Sequence, residues 1–225
     1  MSLLFELTDI RFAYPGRPNV LDGVDFTLTA GERVALAGDN GAGKSTLLHI
    51  MVGLLTPQSG TVTAFGAARA SEKDFHDVRR RAGLVFQDPD DQLFCPTVAE
   101  DIAFGPLNLG KTRDEALAIV DETLAQLSLS SLRDRITHKL SGGEKRLVGL
   151  ATVLAMNPDV LLLDEPTNAL DETTRARMIE ILNDLPQALV VISHDAHFRR
   201  KVTSTQLRLE DGRLTSAAAH CVHAS

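Results

Sequence analysis

The stretch RVALAGDNGAGKST, residues 33–46, constrains the fold of this chain more than any other segment. Its first five residues are almost continuously apolar, which is typical of a buried strand. The segment Gly38–Ser45 then has the spacing G-x-x-x-x-G-K-S, and residues 44–53 have helical character. A strand, a glycine loop and a helix in this order predict a P-loop, whose backbone N–H groups cradle phosphate.

Each residue type in this loop has a chemical reason. Gly41 and Gly43 allow backbone N–H groups to turn toward phosphate without a Cβ clash. Lys44 supplies a charge at the β- and γ-phosphate oxygens, and the Ser45 hydroxyl can ligate Mg²⁺. The alternative is an ordinary glycine turn between a strand and a helix, and the full spacing in this context favours the P-loop.

A second segment, VLLLDEPT at residues 160–167, supplies acids at the end of an apolar strand. Asp164 is expected to emerge where the strand ends, and to hold the Mg²⁺ shell. Glu165 beside it is placed to orient and polarise a water for attack on the γ-phosphate. An acidic turn before Pro166 is the alternative, and the P-loop in the same chain argues against it.

A third segment, LSGGEKRL at residues 140–147, places a serine and two glycines before a second helical stretch. Such a start exposes backbone N–H groups to an anion. Ser141 and Glu144 also have the spacing of a capping box, which stabilises a helix start by about 1 kcal/mol. The chain therefore contains two candidate phosphate-binding helix starts.

The remaining pattern predicts an α/β fold. The opening third reads as short strands, including VDFTL at 24–28, and strand–helix alternation returns in DVLLLDE at 159–165 and ALVVISHD at 188–195. LRLEDGRL at 207–214 predicts a hairpin around Asp211–Gly212. Buried strands that alternate with helices imply a mostly parallel sheet covered on both faces.

The middle of the chain predicts a helical insert. Thr97 with Glu100 and Thr112 with Glu115 have capping-box spacing. One apolar face then recurs at helical spacing through Ala116, Ile119, Val120, Thr123, Leu124 and Leu127.

Composition excludes several classes of partner. The net charge is −7, so no global basic field favours nucleic acid or anionic lipid, and the basic run at 79–81 is expected to be a solvated helix face.

The spacing of Cys95 and Cys221 fits neither a metal site nor a disulfide, which indicates a reducing compartment. Acidic residues occur too early for a secretory signal, and no apolar run approaches the roughly 20 residues of a membrane span. Membrane association is therefore expected only through partners.

These motifs, in this order, resemble those of the nucleotide-binding subunits of ABC transporters over nearly the whole chain. Tyr14 stands where the family has an aromatic residue that stacks on adenine, although it could also pack a turn. Gln87 follows a strand, where the family has the glutamine that couples Mg²⁺ and γ-phosphate to the membrane partner. LSGGE resembles the signature, NALD at 168–171 the D-loop, and ISHD the switch segment with His194.

The resemblance implies a P-loop ATPase with a mostly parallel central sheet, an N-terminal antiparallel β subdomain and an inserted α-helical subdomain. We expect one domain over residues 1–225, with an ATP-binding core at 1–88 and 158–214, a helical subdomain at 89–157 and a flexible tail at 215–225. ATP and Mg²⁺ are the implied cofactors. Two copies would pack head to tail, so that each signature holds the γ-phosphate of the neighbour's ATP.

The site residues that follow from the motifs and the resemblance fall into three sets. The expected catalytic residues are Glu165, His194, Gln87 and Lys44. The expected Mg²⁺ ligands are Ser45, Gln87 and Asp164. The expected ATP-binding residues are Tyr14, Gly38, Asn40, Gly41, Ala42, Gly43, Lys44, Ser45, Thr46, Ser141, Gly142, Gly143, Glu144 and Asp171.

Residues 85–110 resemble the ATPases of energy-coupling-factor importers, in particular the cobalt/nickel branch. In that family this segment borders a groove for a coupling helix of the membrane scaffold. The candidate docking residues are Asp90, Asp91, Gln92, Leu93 and Phe94. A packed loop is the alternative for part of them.

We therefore expect an ATP-hydrolysing subunit of a cobalt or nickel importer, which binds a second ATPase copy, a transmembrane scaffold and a substrate-binding membrane subunit at the cytoplasmic face. Import of a vitamin such as biotin by the same machinery is the alternative. A soluble ABC ATPase of DNA repair or translation would need a long coiled-coil insertion or a second cassette. A GTPase or small-molecule kinase is disfavoured by LSGGE and by the lack of an NKxD-type motif.

Three features fit the resemblance less well. Glu144 stands where the commonest signature has glutamine, and a carboxylate near a triphosphate is repulsive unless it turns back onto the backbone. Asn168 stands in a D-loop position where small residues are frequent. HCVH at 220–223 contains soft metal-ligand types, but a terminal tail is a weak context for a metal site.

Overall fold

The computed structural model describes residues 2–216. Within them lie ten strands and seven α-helices. The strands are β1 Leu3–Ala13, β2 Asn19–Thr29, β3 Arg33–Ala37, β4 Ser59–Ala64, β5 Ala67–Arg69, β6 Ala82–Val85, β7 Val160–Asp164, β8 Ala188–Ile192, β9 Thr205–Glu210 and β10 Arg213–Ser216. The helices are α1 Lys44–Met51, α2 Glu72–Arg81, α3 Val98–Asn108, α4 Arg113–Gln126, α5 Gly142–Leu154, α6 Glu172–Asp184 and α7 Ala196–Val202.

The N-terminal part forms a four-stranded antiparallel sheet in the order β2-β1-β4-β5. The expectation of short strands is wrong for β1 and β2, which have 11 residues each. Alternating apolar residues explain their length, because one face of each strand packs into the core. The register of β1 shifts between Leu7 and Ile10, where Asp9 has φ +48°, as in a β-bulge.

The second sheet has six strands in the order β10-β9-β3-β8-β7-β6. The five strands from β9 to β6 are parallel, and β10 pairs antiparallel with β9 through the hairpin predicted at Asp211–Gly212. Both hairpin residues have positive φ, +48° and +73°, as the tight turn requires. The predicted mostly parallel α/β sheet is thus confirmed.

This sheet separates two hydrophobic cores, because successive side chains of a strand point to opposite faces. In β7, Val160 and Leu162 pack with the antiparallel sheet and α1, whereas Leu161 and Leu163 pack with the helical region. All five residues of β7 and all five of β8 are buried. Both strands are therefore fixed from two sides, which holds the residues at their carboxyl ends in place.

The helical region lies between β6 and β7 and contains α3, α4 and α5. Thr97 and Thr112 cap α3 and α4, and each forms the predicted capping box, with Glu100 and Glu115. The apolar face of α4 enters the core, although Ile119 is only partly buried. No helix within residues 2–216 combines the length and the apolar character that a bilayer crossing needs.

Two sequence-based expectations need correction. Thr215 and Ser216, assigned to the flexible tail, belong to β10, and the rest of that tail with HCVH at 220–223 lies outside the described residues. The basic run is a solvated face only at Arg80. Arg79 donates a hydrogen bond to the Val52 carbonyl, and Arg81 stacks on Phe65 with its guanidinium carbon 3.9 Å from the ring centre.

Candidate nucleotide site

A cleft of about 710 Å³ opens at the carboxyl ends of β3, β7 and β8. In a parallel sheet this edge is where ligands bind, because the loops that follow the strands converge there. The cleft is lined by Tyr14, Arg17, Val20, Asn40, Gly41, Gly43, Lys44, Ser45, Thr46, Gln87, Asp164, Glu165, Asn168, Ile192 and His194.

The glycine loop between β3 and α1 forms the floor of this cleft. A Cβ atom at Gly38 would lie 2.3 Å from the Leu209 carbonyl oxygen, and one at Gly43 would lie 2.6 Å from Val20 Cγ1. Both residues also have positive φ, +145° and +101°. Only glycine fits these two positions. Gly43 precedes α1 without a side-chain cap, so the first N–H groups of α1 face the cleft without a side-chain acceptor.

Lys44 is buried and closes over the loop. Its Nζ donates hydrogen bonds to the carbonyls of Gly38 and Asp39, each at 2.9 Å. Burial lowers the pKa of Lys44, while the nearby carboxylates of Glu165 and Asp164 act in the opposite direction. The ammonium group therefore sits inside the cradle and opposite two acids.

Asp164 is the last residue of β7, Glu165 follows it, and both acids are buried. Asp164 Oδ1 and Glu165 Oε1 are both buried and lack a hydrogen-bond partner among the described residues. Glu165 has φ +47°, an uncommon conformation for a residue with a side chain, and its N–H donates to the Ile192 carbonyl. Buried carboxylate oxygens without donors are costly unless a ligand or cation meets them, so the donor set fits Mg²⁺.

His194 lies directly beside Glu165, because β8 pairs with β7 and Ile192 is in register with Asp164. The His194 N–H donates to Glu165 Oε2 at 3.2 Å, and His194 Nε2 lies 3.4 Å from Glu165 Oε1. The imidazole is 55% exposed. It can therefore reach both the acid and a ligand in the cleft.

Two more of the expected residues complete the cleft. Tyr14 lines it with its ring edge-on to Phe12, at 4.9 Å between centroids, and its hydroxyl lies 3.0 Å from Thr46 Oγ1. Gln87 is exposed after β6, and it lines both this cleft and the adjoining groove around Ser45. Segments far apart in sequence thus meet at one site.

The signature residues and Asp171 do not line this cleft. Ser141 and Glu144 form the predicted capping box at the start of α5. Asp171 caps α6 and accepts a hydrogen bond from the Thr174 N–H at 2.9 Å. A Cβ atom at Gly143 would approach Thr174, whereas one at Gly142 would meet open space. Ala42, also expected to bind ATP, lines a neighbouring groove.

The sequence reading missed Arg146, which lies on α5 two residues after the signature. Its Nη1 donates to the carbonyls of Gln87, at 2.9 Å, and Glu165, at 3.3 Å. Burial lowers the pKa of this guanidinium, while the nearby Asp88 carboxylate opposes the shift. An arginine in an amphipathic helix gives no local signal of such contacts. Arg17 and Val20 were also missed as residues of the cleft.

The docking surface expected at residues 90–94 is only partly exposed. Leu93 is 8% exposed and belongs to the core of the helical region, so its assignment is wrong. Gln92 is half-buried and donates to the Gly149 carbonyl at 2.7 Å. Phe94 is 65% exposed and packs edge-on against Phe104, with centroids 4.8 Å apart. Asp90 forms an ion pair with Lys145.

A phosphate loop after β3, an acid at the end of the buried strand β7 and a glutamate beside it define a P-loop nucleoside triphosphatase. Residues 21–168 match the protein family described as ABC transporter. The chain belongs to this family as an ATP-binding cassette with ATPase activity.

Relatives match nearly the whole chain. An ABC transporter ATP-binding protein of Brucella suis is 52% identical over 98% of this chain and 91% of its own length. The cobalt import ATP-binding protein CbiO of Rhodobacter capsulatus is 48% identical over 97% of this chain and 80% of its own. The energy-coupling factor transporter ATP-binding protein EcfA of Methanothermobacter thermautotrophicus is 42% identical over 94% and 69%.

Solved structures share the fold. CbiO1 of Clostridium perfringens, described as part of the complex cbiONQ, has a TM-score of 0.86 and 32% identity, covering 96% of this chain and 88% of that one. The cassette MJ0796, a dimer bound to ADP and Pi, has a TM-score of 0.85 and 25% identity, covering 95% and 98%. The predicted family and fold are confirmed.

Proposed function

We propose that this chain is the energy-coupling ATPase of a membrane importer of the energy-coupling-factor type, and that the imported solute is cobalt or nickel ion. Relatives that match it over nearly its whole length are named for cobalt import and for an energy-coupling factor, and a similar structure comes from an ABC transporter complex. The proposed work of the chain is to bind and hydrolyse ATP beneath membrane subunits, at the cytoplasmic face.

One observation carries the catalytic part of the proposal: two consecutive buried acids lie at the end of β7, and each has a carboxylate oxygen without a hydrogen-bond partner among the described residues, in the cleft that contains Lys44. Glu165 is the proposed general base for the attacking water. His194, which contacts Glu165, is the proposed γ-phosphate contact. Lys44 and the first N–H groups of α1 supply positive charge for the phosphates.

Ser45, Gln87 and Asp164 are the proposed Mg²⁺ ligands, since all three line the same cleft and carry oxygen donors. When bound, Mg²⁺ supplies charge neutralisation at the β- and γ-phosphates. Arg146 holds the carbonyls of Gln87 and Glu165 together, which fixes the backbone of both residues. Tyr14 is the proposed adenine-stacking residue.

The second helix start supports a dimer. Ser141, Gly142 and Gly143 lie at an exposed helix N-terminus outside the chain's own cleft, and Gly142 has open space around it. In the proposed head-to-tail dimer this start, with Glu144 and Asp171 near it, contacts the ATP held by the other copy. A similar cassette forms a dimer with bound ADP and Pi.

An exposed apolar patch supports the contact with a membrane scaffold. Phe94, Phe104, Leu107 and Ile136 are large apolar residues left exposed in the helical region. A groove of about 520 Å³ beside Phe94 is lined mainly by apolar surface and also contains Ile136. Exposed apolar surface of this kind is typical of a contact with another protein.

The proposal is tested with the protein in its native membrane. Affinity capture from detergent-solubilised membranes should recover a transmembrane scaffold and a substrate-binding subunit, identified by mass spectrometry. Uptake of labelled Co²⁺, Ni²⁺ and biotin is then compared between cells with the wild-type chain and cells with Glu165→Gln. Loss of Co²⁺ or Ni²⁺ uptake in the variant is the expected result. Loss of biotin uptake alone would show that the imported solute is the vitamin and not the metal ion. Capture of no membrane protein would contradict the proposal that the chain belongs to an importer.

A further inference from the structure

Glu144 is a carboxylate in the first turn of the helix whose start is proposed to bind the partner copy's phosphate. A negative charge at that place opposes binding of a triphosphate, because like charges repel most strongly where water is excluded. The chain therefore needs something that controls the charge of Glu144 and the direction in which its side chain points.

The capping box explains one carboxylate oxygen. Glu144 Oε2 accepts a hydrogen bond from the Ser141 N–H at 2.8 Å, and the Glu144 N–H donates to Ser141 Oγ at 3.3 Å. Glutamine at this position would form the same box, since its side-chain oxygen also accepts from the N-cap N–H. Capping alone therefore gives no reason for a charged residue.

The other oxygen is held by Arg135. Glu144 Oε1 accepts a hydrogen bond from Arg135 Nη1 at 2.8 Å. The pKa of Glu144 is lowered, first by the hydrogen bond from the Ser141 N–H and further by the Ser141 hydroxyl and by Arg135. The carboxylate is thus ionised near neutral pH, and Arg135 supplies the matching positive charge.

Arg135 is fixed by its own backbone rather than by the ion pair alone. Its carbonyl accepts a hydrogen bond from the Val98 N–H at 3.1 Å, and its N–H donates to the Leu132 carbonyl at 2.9 Å. The guanidinium also lies 3.5 Å from the Lys139 carbonyl. The segment that carries Arg135 is therefore tied to the start of α3, and the arginine reaches Glu144 from an anchored position.

We propose that Arg135 is a positioning residue of the signature segment: it neutralises Glu144 and, together with the capping box, holds its carboxylate away from the nucleotide phosphate of the other copy. The proposal rests on the head-to-tail dimer of the proposed function. It explains how this chain keeps an acid at a phosphate-binding helix start.

The test uses dimer formation in a Glu165→Gln background with saturating ATP and Mg²⁺, measured by sedimentation velocity. Arg135→Gln should weaken the dimer about five- to tenfold, because Glu144 then faces the phosphate without its cation. Adding Glu144→Gln should return the dimer to within about twofold of Glu144→Gln alone. Arg135→Lys, which keeps the charge, should weaken it less than Arg135→Gln. Arg133→Gln is the matched control, since Arg133 pairs with Asp121 and Asp134 instead.

The outcomes separate the possible failures. A dimer that is unchanged by Arg135→Gln, or a double variant as weak as Arg135→Gln, overturns the proposal, because a purely structural arginine would not be rescued at Glu144. ATP binding by the monomer, measured with a fluorescent analogue, should be unchanged, since Arg135 does not line the chain's own cleft. If the Glu165→Gln parent itself stays monomeric, the head-to-tail dimer fails, and this inference fails with it.

Discussion

The helix starts at α1 and α5 resemble each other in sequence and differ in structure. Gly43 begins α1 with a left-handed backbone and no side-chain cap, inside a cleft with acids and a buried lysine. Ser141 begins α5 with an extended backbone and a complete capping box, at the surface. The start of α1 therefore lies in a cleft whose other side chains come from the same chain, whereas the start of α5 lies outside that cleft.

The difference teaches what each start needs in order to bind an anion. At α1, uncapped N–H groups and the buried Lys44 lie together at one cleft, so the proposed phosphate site is built from one chain. At α5, the Glu144 N–H is already occupied by the cap, and Ser141 and Gly142 are exposed to solvent, where a helix terminus contributes little. A second surface must enclose α5 before it can hold a phosphate firmly.

The largest expected effect comes from removing the proposed general base from the cleft at the start of α1. Glu165→Gln should reduce ATP turnover by about 100- to 10,000-fold, because the general base is lost while the shape is kept. ATP binding should persist, and ATP-bound dimers should accumulate in gel filtration. Glu180→Gln, an exposed glutamate on α6, is the matched control. Unchanged turnover in Glu165→Gln would refute the role of the acid.

A charge at the exposed start should separate hydrolysis from binding. Ser141→Arg should lower ATP turnover about 100-fold or more, because a bulky side chain blocks the helix N-terminus that faces the other copy. Binding of ATP to the monomer should be unchanged, since Ser141 does not line the chain's own cleft. Loss of monomer binding, measured by equilibrium dialysis, would contradict the assignment of the two starts to different nucleotides.

Leu93 and Phe94 are adjacent in sequence, but Leu93 is buried and Phe94 is exposed, so the same substitution should have different effects at the two positions. Leu93→Asp should destabilise the fold by about 3 kcal/mol or more, because it buries an unpaired charge. Phe94→Asp should cost only about 1 kcal/mol, from its pairing with Phe104, and should release the chain from its membrane partner. Urea unfolding and co-purification measure the two effects. Co-purification that survives Phe94→Asp would place the docking surface elsewhere.

The smallest effect is expected at Asp195, which caps α7 beside His194 and pairs with Arg175 at 2.9 Å. Hydrogen bonding from the Phe198 N–H, with Arg175 and the His197 N–H, lowers the pKa of Asp195. Asp195→Asn keeps the cap and removes the charge, so it should cost about 0.5–1 kcal/mol at pH 7.

This cost should depend on pH in one direction. A carboxyl whose pKa is lower in the folded state contributes fully above its unfolded pKa, which is near 3.9, and loses the contribution as pH falls through the folded pKa. The difference in unfolding free energy between wild type and Asp195→Asn should therefore shrink below about pH 4. A difference that stays constant to lower pH would show that the charge does not contribute.

The two starts also show how much of the fold and site could be predicted from sequence. The capping boxes at Thr97, Thr112 and Ser141 were predictable, because a cap depends on residues three positions apart. The P-loop was predictable for the same local reason, and the strands that precede the P-loop and the two acids, β3 and β7, followed from their apolar runs. The hairpin at Asp211–Gly212 needed only two turn residues.

Contacts between distant segments could not be predicted in this way. Leu93 and Phe94 are both large and apolar, and only the packing of residues 92–94 against α3 and α5 decides which one is buried. Arg146 contacts two carbonyls, 59 and 19 residues away along the chain, through a side chain that a helical pattern would place in solvent. Neither outcome depends on neighbours in sequence.

By itself, then, the sequence determined the elements and the two glycine-rich helix starts, because caps, turns and hydrophobic periodicity are short-range properties. Only the tertiary structure decided which polar groups meet. The register of β7 with β8 brings His194 to Glu165, and the anchoring of the segment before α5 brings Arg135 to Glu144. Such contacts depend on how whole strands and helices pack, which no local spacing encodes.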